Sequence, residues 1–343
     1  MWINSSIVIF LLTLGLSFGL TLLVRKIALK LNIIDRPGLL RKIHIKETPL
    51  LGGAAIWLSF FIVLFLVRDQ VLAGNLEARH WLGFFMGACF LMIGGYLDDK
   101  YDLKPKYQVI WPILAVLAVL LGGVSIEKIT NPLGGFFYLS SALSAIIIFI
   151  WLMAMMYTTK LLDGIDGLVS GVVAIGALIV FAFTMTTKYF QPDVGVAALI
   201  LAGACLGFLF LNWHPAKIFL GEGGSLFLGF SLGVLAIISG GKIAIALLVM
   251  GIPVLDLGWT VIRRLIARKN PFKFADKQHL HHRLLGLGIG QRKTALVYYV
   301  LALIFGLSGL FLQSTGKMLA LLIIFLIMLV LVITFSLYDK KKI

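Results

Sequence analysis

Apolar runs about twenty residues long recur along the whole chain, separated by short polar segments. A helix needs about 20 mostly apolar residues to cross a hydrocarbon core about 30 Å thick. Lipid offers the backbone no hydrogen-bond partner, so such runs must be helices that pair their own amides and carbonyls. Only 13% of the 343 residues are charged, against about 25% in a water-soluble domain. The pattern predicts an all-α, polytopic integral membrane protein.

Eleven spans are expected, near 5–24, 50–67, 80–97, 107–123, 139–157, 168–186, 194–211, 225–239, 243–261, 294–313 and 318–337. Met1–Asn4 carries no basic segment and no cleavage signal follows, so the first run is expected to persist as a helix. Lysine and arginine fix the orientation. Of 30 such residues, 24 fall in segments 25–49, 98–106, 158–167, 212–224, 262–293 and 338–343. The alternating set holds six: Arg68, Arg79, Lys128, Lys188, Lys242 and Lys317. The N-terminus is therefore expected outside and the C-terminus in the cytoplasm. The net charge of +15 fits loops facing anionic lipid and calls for no nucleic acid. Cys89 and Cys205 sit inside apolar runs as small packing residues. No repeat or long linker divides residues 1–343, which read as one domain.

Reactive side chains gather in the segments expected in the cytoplasm, including five of six histidines. Asp98 and Asp99 end the third span; adjacent carboxylates suit a divalent cation, or are a solvated helix terminus beside Lys100. Asp163 and Asp166, each followed by glycine, share a face if that stretch is helical; capping accounts equally well for one of them but less well for both. Phe219–Ser225 is glycine-rich with one acid, Glu222, and reads as a phosphate-binding or merely flexible turn. His279, His281, His282 and Arg283 stand within five residues. They suit a polyanion, while zinc lacks a second ligand cluster and a basic strip on anionic lipid remains open. Lys42 and His44 in the first long loop are either topology signal or anion binders. The pair Gly52-Gly53 suits close helix packing. Asp256 lies within the ninth span, where an ionisable group is functional or structurally paired.

Taken in this order, Asp35–Gly53, Asp98–Leu103, Asp163–Gly171, Pro215–Phe230, Pro253–Asp256 and Asp276–Arg283 resemble the polyprenyl-phosphate N-acetylhexosamine-1-phosphate transferases. The form His279-Leu280-His281-His282-Arg283 is similar to the branch that uses UDP-N-acetylglucosamine. The branch that transfers phospho-MurNAc-pentapeptide has another histidine motif there. The resemblance implies a Mg²⁺-dependent enzyme, with Mn²⁺ as a substitute, at the cytoplasmic face of the cell membrane. Polyprenyl (undecaprenyl) phosphate would attack the β-phosphorus of a UDP-sugar and release UMP, as the first membrane step of a surface polysaccharide. It implies Asp98, Asp99 and Glu222 as the metal's residues, with one of the two aspartates holding the ion and the other orienting or deprotonating the lipid phosphate. Asp163 and Asp166 are implied as catalytic residues on the nucleotide-sugar side. His279, His281, His282 and Arg283 would hold phosphates, with Lys42, His44 and Lys160 as further substrate contacts, and a homodimer is left open. Three positions depart from the family's pattern: Glu222 replaces an aspartate, and Lys160 and Tyr157 replace asparagines. Those changes leave open a lipid-phosphate transporter or scaffold that kept the fold without the catalysis, and the same reaction on UDP-MurNAc-pentapeptide.

Overall fold

The computed structural model describes residues 2–37, 47–72, 77–131, 134–186, 190–240, 243–268 and 279–341. It is helical nearly throughout: α1 (Trp2–Lys30), α2 (Gly52–Leu66), α3 (Arg68–Val71), α4 (Ala78–Tyr101), α5 (Pro105–Gln108), α6 (Ile110–Leu121) and α7 (Ser141–Leu162) come first. After them run α8 (Leu168–Thr184), α9 (Pro192–Asn212), α10 (Gly221–Ile238), α11 (Ile243–Ile266), α12 (Leu280–Gly286), α13 (Gln291–Phe311) and α14 (Ser314–Lys341). Two short antiparallel strand pairs interrupt them, Ile34–Asp35 (β1) with Thr48–Pro49 (β2), and Lys128–Thr130 (β3) with Phe136–Tyr138 (β4).

Among the described residues, eight helices are long and apolar enough to cross a membrane: α1, α4, α7, α9, α10, α11, α13 and α14. The other expected spans, 50–67, 107–123 and 168–186, fall on shorter apolar helices at 52–66, 105–121 and 168–184. Burial grades from the centre outward. α9 and α10 are sheathed nearly all round, whereas α14 shows Leu319, Leu322, Ile323 and Phe325 half-exposed. Apolar side chains thus cover the outside as well as the core. In water that surface would be a large exposed patch; against lipid tails it carries no penalty.

Glycine contacts set the helices that carry the polar residues. A Cβ on Gly53 would stand 2.0 Å from the Cα of Gly224, and one on Gly95 would stand 2.1 Å from the amide nitrogen of Gly223. Backbone meets backbone at both places, so α2 and α4 both lie directly against the first turn of α10. The amides of Gly52 and Gly53 also donate to the carbonyls of Phe219 and Leu220, docking the start of α2 on the strand of chain that enters α10. Residues 221–225 are therefore helix, and Gly223 and Gly224 are consumed by packing instead of forming the phosphate-binding or flexible turn expected from the sequence. Pro253 sits inside α11 without ending it.

Candidate active site

Helix α4 ends at Tyr101, Asp102 closing its last turn in the left-handed region (φ 50°). That reversal places Leu103 and Gln108 over Asp98, whose Oδ1 accepts from the Leu103 amide and from Gln108 Nε2, both at 2.9 Å. Asp99 points the other way, toward α10. The residue preceding that helix, Leu220, offers no side-chain cap. Asp99 Oδ1 supplies one from across the interface, accepting from the Glu222 amide at 3.1 Å. A carboxylate at a helix N-terminus is favoured by the unpaired amides and the helix dipole.

Lys160, in the last turn of α7, forms an ion pair with Glu222, and its ammonium also donates to Gln108 Oε1 at 3.2 Å. Gln108 thereby bridges Asp98 and Lys160. Tyr157 completes the group, its ring centre 5.9 Å from Lys160 Nζ. Three residues that depart from the resemblance, Glu222, Lys160 and Tyr157, are thus one another's neighbours. The bridge through Gln108 has no motif of its own and was not legible in the sequence.

Between α7 and α8 the chain turns through Asp163–Gly167. Burial, and after it the carboxylates of Glu222, Asp99 and Asp166, push the Asp163 pKa well above the usual carboxylate range. Asp166 serves the turn itself. Its Oδ2 accepts from the Ala216 amide at 3.0 Å and lies 2.7 Å from His214 Nδ1. Asn212 tightens the same seam, accepting from the Gly167 amide at 3.1 Å and donating to the Ile218 carbonyl at 3.0 Å. Asp163 and Asp166 are therefore not on one helical face; they lie in a non-helical turn, with separate surroundings.

The histidines come from α12. His279 precedes it, with Nδ1 3.1 Å from Asp256 Oδ2, and Asp256 also accepts from the Leu280 amide at 3.3 Å. The intramembrane acid noted in the sequence is therefore the anchor of the histidine helix. His281 is 1% exposed; its ring lies parallel to that of His279 at 5.7 Å and tilted against that of His282 at 4.3 Å. Neither of its ring nitrogens has a hydrogen-bond partner among the described residues. Burial, then His282 and His279, hold its pKa well below the ordinary imidazole value, so it is neutral near pH 7. Its Nε2 faces Gly164, 3.2 Å from where a Cβ there would sit. A buried donor or acceptor without a partner is costly, and a ligand at Gly164 would satisfy it.

The structure thus brings together Asp98, Asp99, Asp163, Glu222 and Lys160, and places His281 and His282 beside the Asp163–Gly167 turn, with His279 stacked on His281. Arg283 lies in the last turn of α12. Lys42 and His44 lie outside the described residues. Among the described residues no three His, Cys, Asp or Glu side chains form a ready-made metal-binding group. The donor chemistry nevertheless fits Mg²⁺: the oxygens are hard and carboxylates outnumber the cations among them. That ion commonly takes one or two carboxylates and fills its other positions with water and substrate phosphate.

Residues 81–240, which carry most of this cluster, match the model of glycosyl transferase family 4. Over 329 residues the chain is 30% identical to the probable undecaprenyl-phosphate N-acetylglucosaminyl 1-phosphate transferase of Bacillus subtilis, covering 94% of this chain and 89% of that protein. It is also 30% identical over 297 residues to the undecaprenyl-phosphate alpha-N-acetylglucosaminyl 1-phosphate transferase of Thermotoga maritima, with 86% and 87% covered. The phospho-N-acetylmuramoyl-pentapeptide-transferase of Halalkalibacterium halodurans is 28% identical over 334 residues, with 89% and 98% covered.

Proposed function

The chain belongs to glycosyl transferase family 4, and from that premise we propose that it transfers N-acetylglucosamine 1-phosphate from UDP-N-acetylglucosamine to undecaprenyl phosphate. An oxygen of the lipid phosphate attacks the β-phosphorus, the bond from that phosphorus to the bridging oxygen breaks, and UMP leaves with the oxygen. The observation that supports this most is the meeting of carboxylates and imidazoles from α4, α10, α12 and the 163–167 turn at one end of an apolar helix bundle. One substrate is a lipid and the other a water-soluble anion, so a site at the end of the bundle reaches both.

In this reading Asp98, Asp99 and Glu222 hold the divalent cation, Mg²⁺ or Mn²⁺, which supplies charge neutralisation to the pyrophosphate. Asp163, next to them, faces the phosphate that is transferred. Asp166 acts through the fold: by tying His214 and Ala216 to the turn it keeps Gly164 against His281. His281, neutral, donates one N–H to a phosphate oxygen at Gly164, and Asp256 holds His279 and the start of α12 in place for it. Arg283 offers a planar fork for a second phosphate contact. A panel of UDP-sugars tested with undecaprenyl phosphate and Mg²⁺ should release UMP with UDP-N-acetylglucosamine. UMP from UDP-MurNAc-pentapeptide in its place would reassign the sugar, and none from any sugar would refute the reading.

The bundle crosses the cell membrane eleven times in this proposal, the shorter α2, α5–α6 and α8 included, with the site in the cytoplasm, a placement the lysine and arginine distribution supports. In a Cys89→Ala, Cys205→Ala background, Leu287→Cys should react with an impermeant maleimide only from the cytoplasm. Phe190→Cys should react only from outside. Labelling of both from one side would contradict the arrangement.

Gly164→Ala separates binding from fold. The added methyl meets the His281 ring at 3.2 Å and the His282 ring at 3.4 Å, side-chain neighbours on an exposed turn. We expect thermal stability within about 1 kcal/mol of the parent, as for substitutions away from packed backbone. The KM for the UDP-sugar should rise about tenfold while that for the lipid phosphate stays level. A change confined to the lipid phosphate would move this turn to the other substrate.

A further inference from the structure

The ion pair at the heart of the cluster says something about the metal as well as about the protein. Lys160 stands at the C-terminal end of α7 and Glu222 in the first turn of α10. Each charge is at the helix pole that favours it, so the pair is held by two dipoles in addition to its own attraction. Both side chains are largely withdrawn from solvent, at 27% and 16% exposure. Gln108 fixes the ammonium from a second side, and its own amide is committed to Asp98 and to the Leu103 carbonyl, each at 2.9 Å. The Tyr157 ring lies alongside. This lysine is a built-in member of the carboxylate cluster, in contact with one of the acids assigned to the cation.

We propose that the Lys160 ammonium is a resident counter-charge that competes with the divalent cation for Glu222, so that the free protein binds the cation weakly and acquires it together with the pyrophosphate of the sugar donor. The inference rests on the reading that this cluster takes a divalent cation. Two features carry it. Lys160 already takes Glu222 Oε1, leaving one carboxylate oxygen for a metal, and no three-ligand group is ready-made among the described residues. The pyrophosphate supplies the oxygens that the protein alone lacks, and the added negative charge outweighs one ammonium. Lys160 is then a positioning residue for the metal, not a ligand.

The test is Mn²⁺ binding followed by electron paramagnetic resonance, on the full-length protein in phosphatidylcholine nanodiscs. Without nucleotide, the parent protein should bind Mn²⁺ at least tenfold more weakly than Lys160→Asn or Lys160→Met. Lys160→Arg, which keeps the charge, should stay weak. Adding UDP-N-acetylglucosamine should tighten Mn²⁺ binding in the parent at least tenfold and in Lys160→Asn much less. Equal or weaker binding by both Asn and Met variants, undetectable binding included, would overturn the proposal, as would an Arg variant as tight as the Asn one. UMP release, assayed on the same samples, reports separately on the transfer reaction: the charge competition can be seen without turnover, and turnover can be seen without it.

Discussion

Replacing Asp99 by Asn should cost on the order of a hundredfold or more in UMP release while leaving the protein folded. The asparagine side chain keeps an oxygen that can accept from the Glu222 amide, so the cap on α10 survives. What is lost is the negative charge beside Glu222 and Asp163. Removing one preorganised electrostatic contact from an active site costs roughly 10²–10³ in rate. Asp98→Asn makes the informative comparison. Asp98 Oδ1 already takes two hydrogen bonds, from the Leu103 amide and Gln108. If that oxygen mainly fixes the Leu103 turn and Gln108, Asp98→Asn will be milder than Asp99→Asn, since an amide oxygen accepts as well. Rate and melting temperature measured on both variants decide it: near-normal UMP release by Asp99→Asn would shift the metal assignment to Asp163 and Glu222.

Gly95→Ala should be the most damaging substitution of an uncharged residue. Its Cβ would sit 2.1 Å from the Gly223 nitrogen and 2.2 Å from its Cα. Backbone cannot swing aside as a side chain does, so α4 and α10 must separate. Overpacking of this kind costs about 1–3 kcal/mol, and contact with main chain puts it at the upper end. The separation also pulls Asp99 from the Glu222 amide. We expect a lowered melting temperature together with activity near background in whatever folds. Normal melting and turnover would mean that the glycine contact does not set the spacing of the two helices.

These two residues also show what could and could not be read from the chain. The bundle was legible because the apolar runs force helices, and Asp98, Asp99, Asp163 and the histidines were legible because charge is conspicuous in so apolar a sequence. Gly53 was legible too, as a close-packing residue. The glycines around Glu222 were misread as a turn, since a Gly-rich stretch looks alike whether it bends or packs, and only the partners Gly53 and Gly95 distinguish the two. Gln108 carried no signal, because a lone amide on a short helix has no spacing to betray it. Asp256 was visible as an acid within a span, but its partner His279 is 23 residues away in the chain, and nothing local couples them. Asp166 was read as a reactive carboxylate, and its bonds to His214 and Ala216 instead depend on how residues 212–218 fold back on the turn.

The transfer itself is tested most directly by following both phosphorus atoms of the donor. Purified protein would be given undecaprenyl phosphate, Mg²⁺ and UDP-N-acetylglucosamine labelled with ³²P at either the α or the β position. The account predicts that β-label passes into the organic-soluble lipid and α-label is recovered as UMP, in equal amounts. Both labels remaining in water-soluble donor, or α-label entering the lipid, would contradict it.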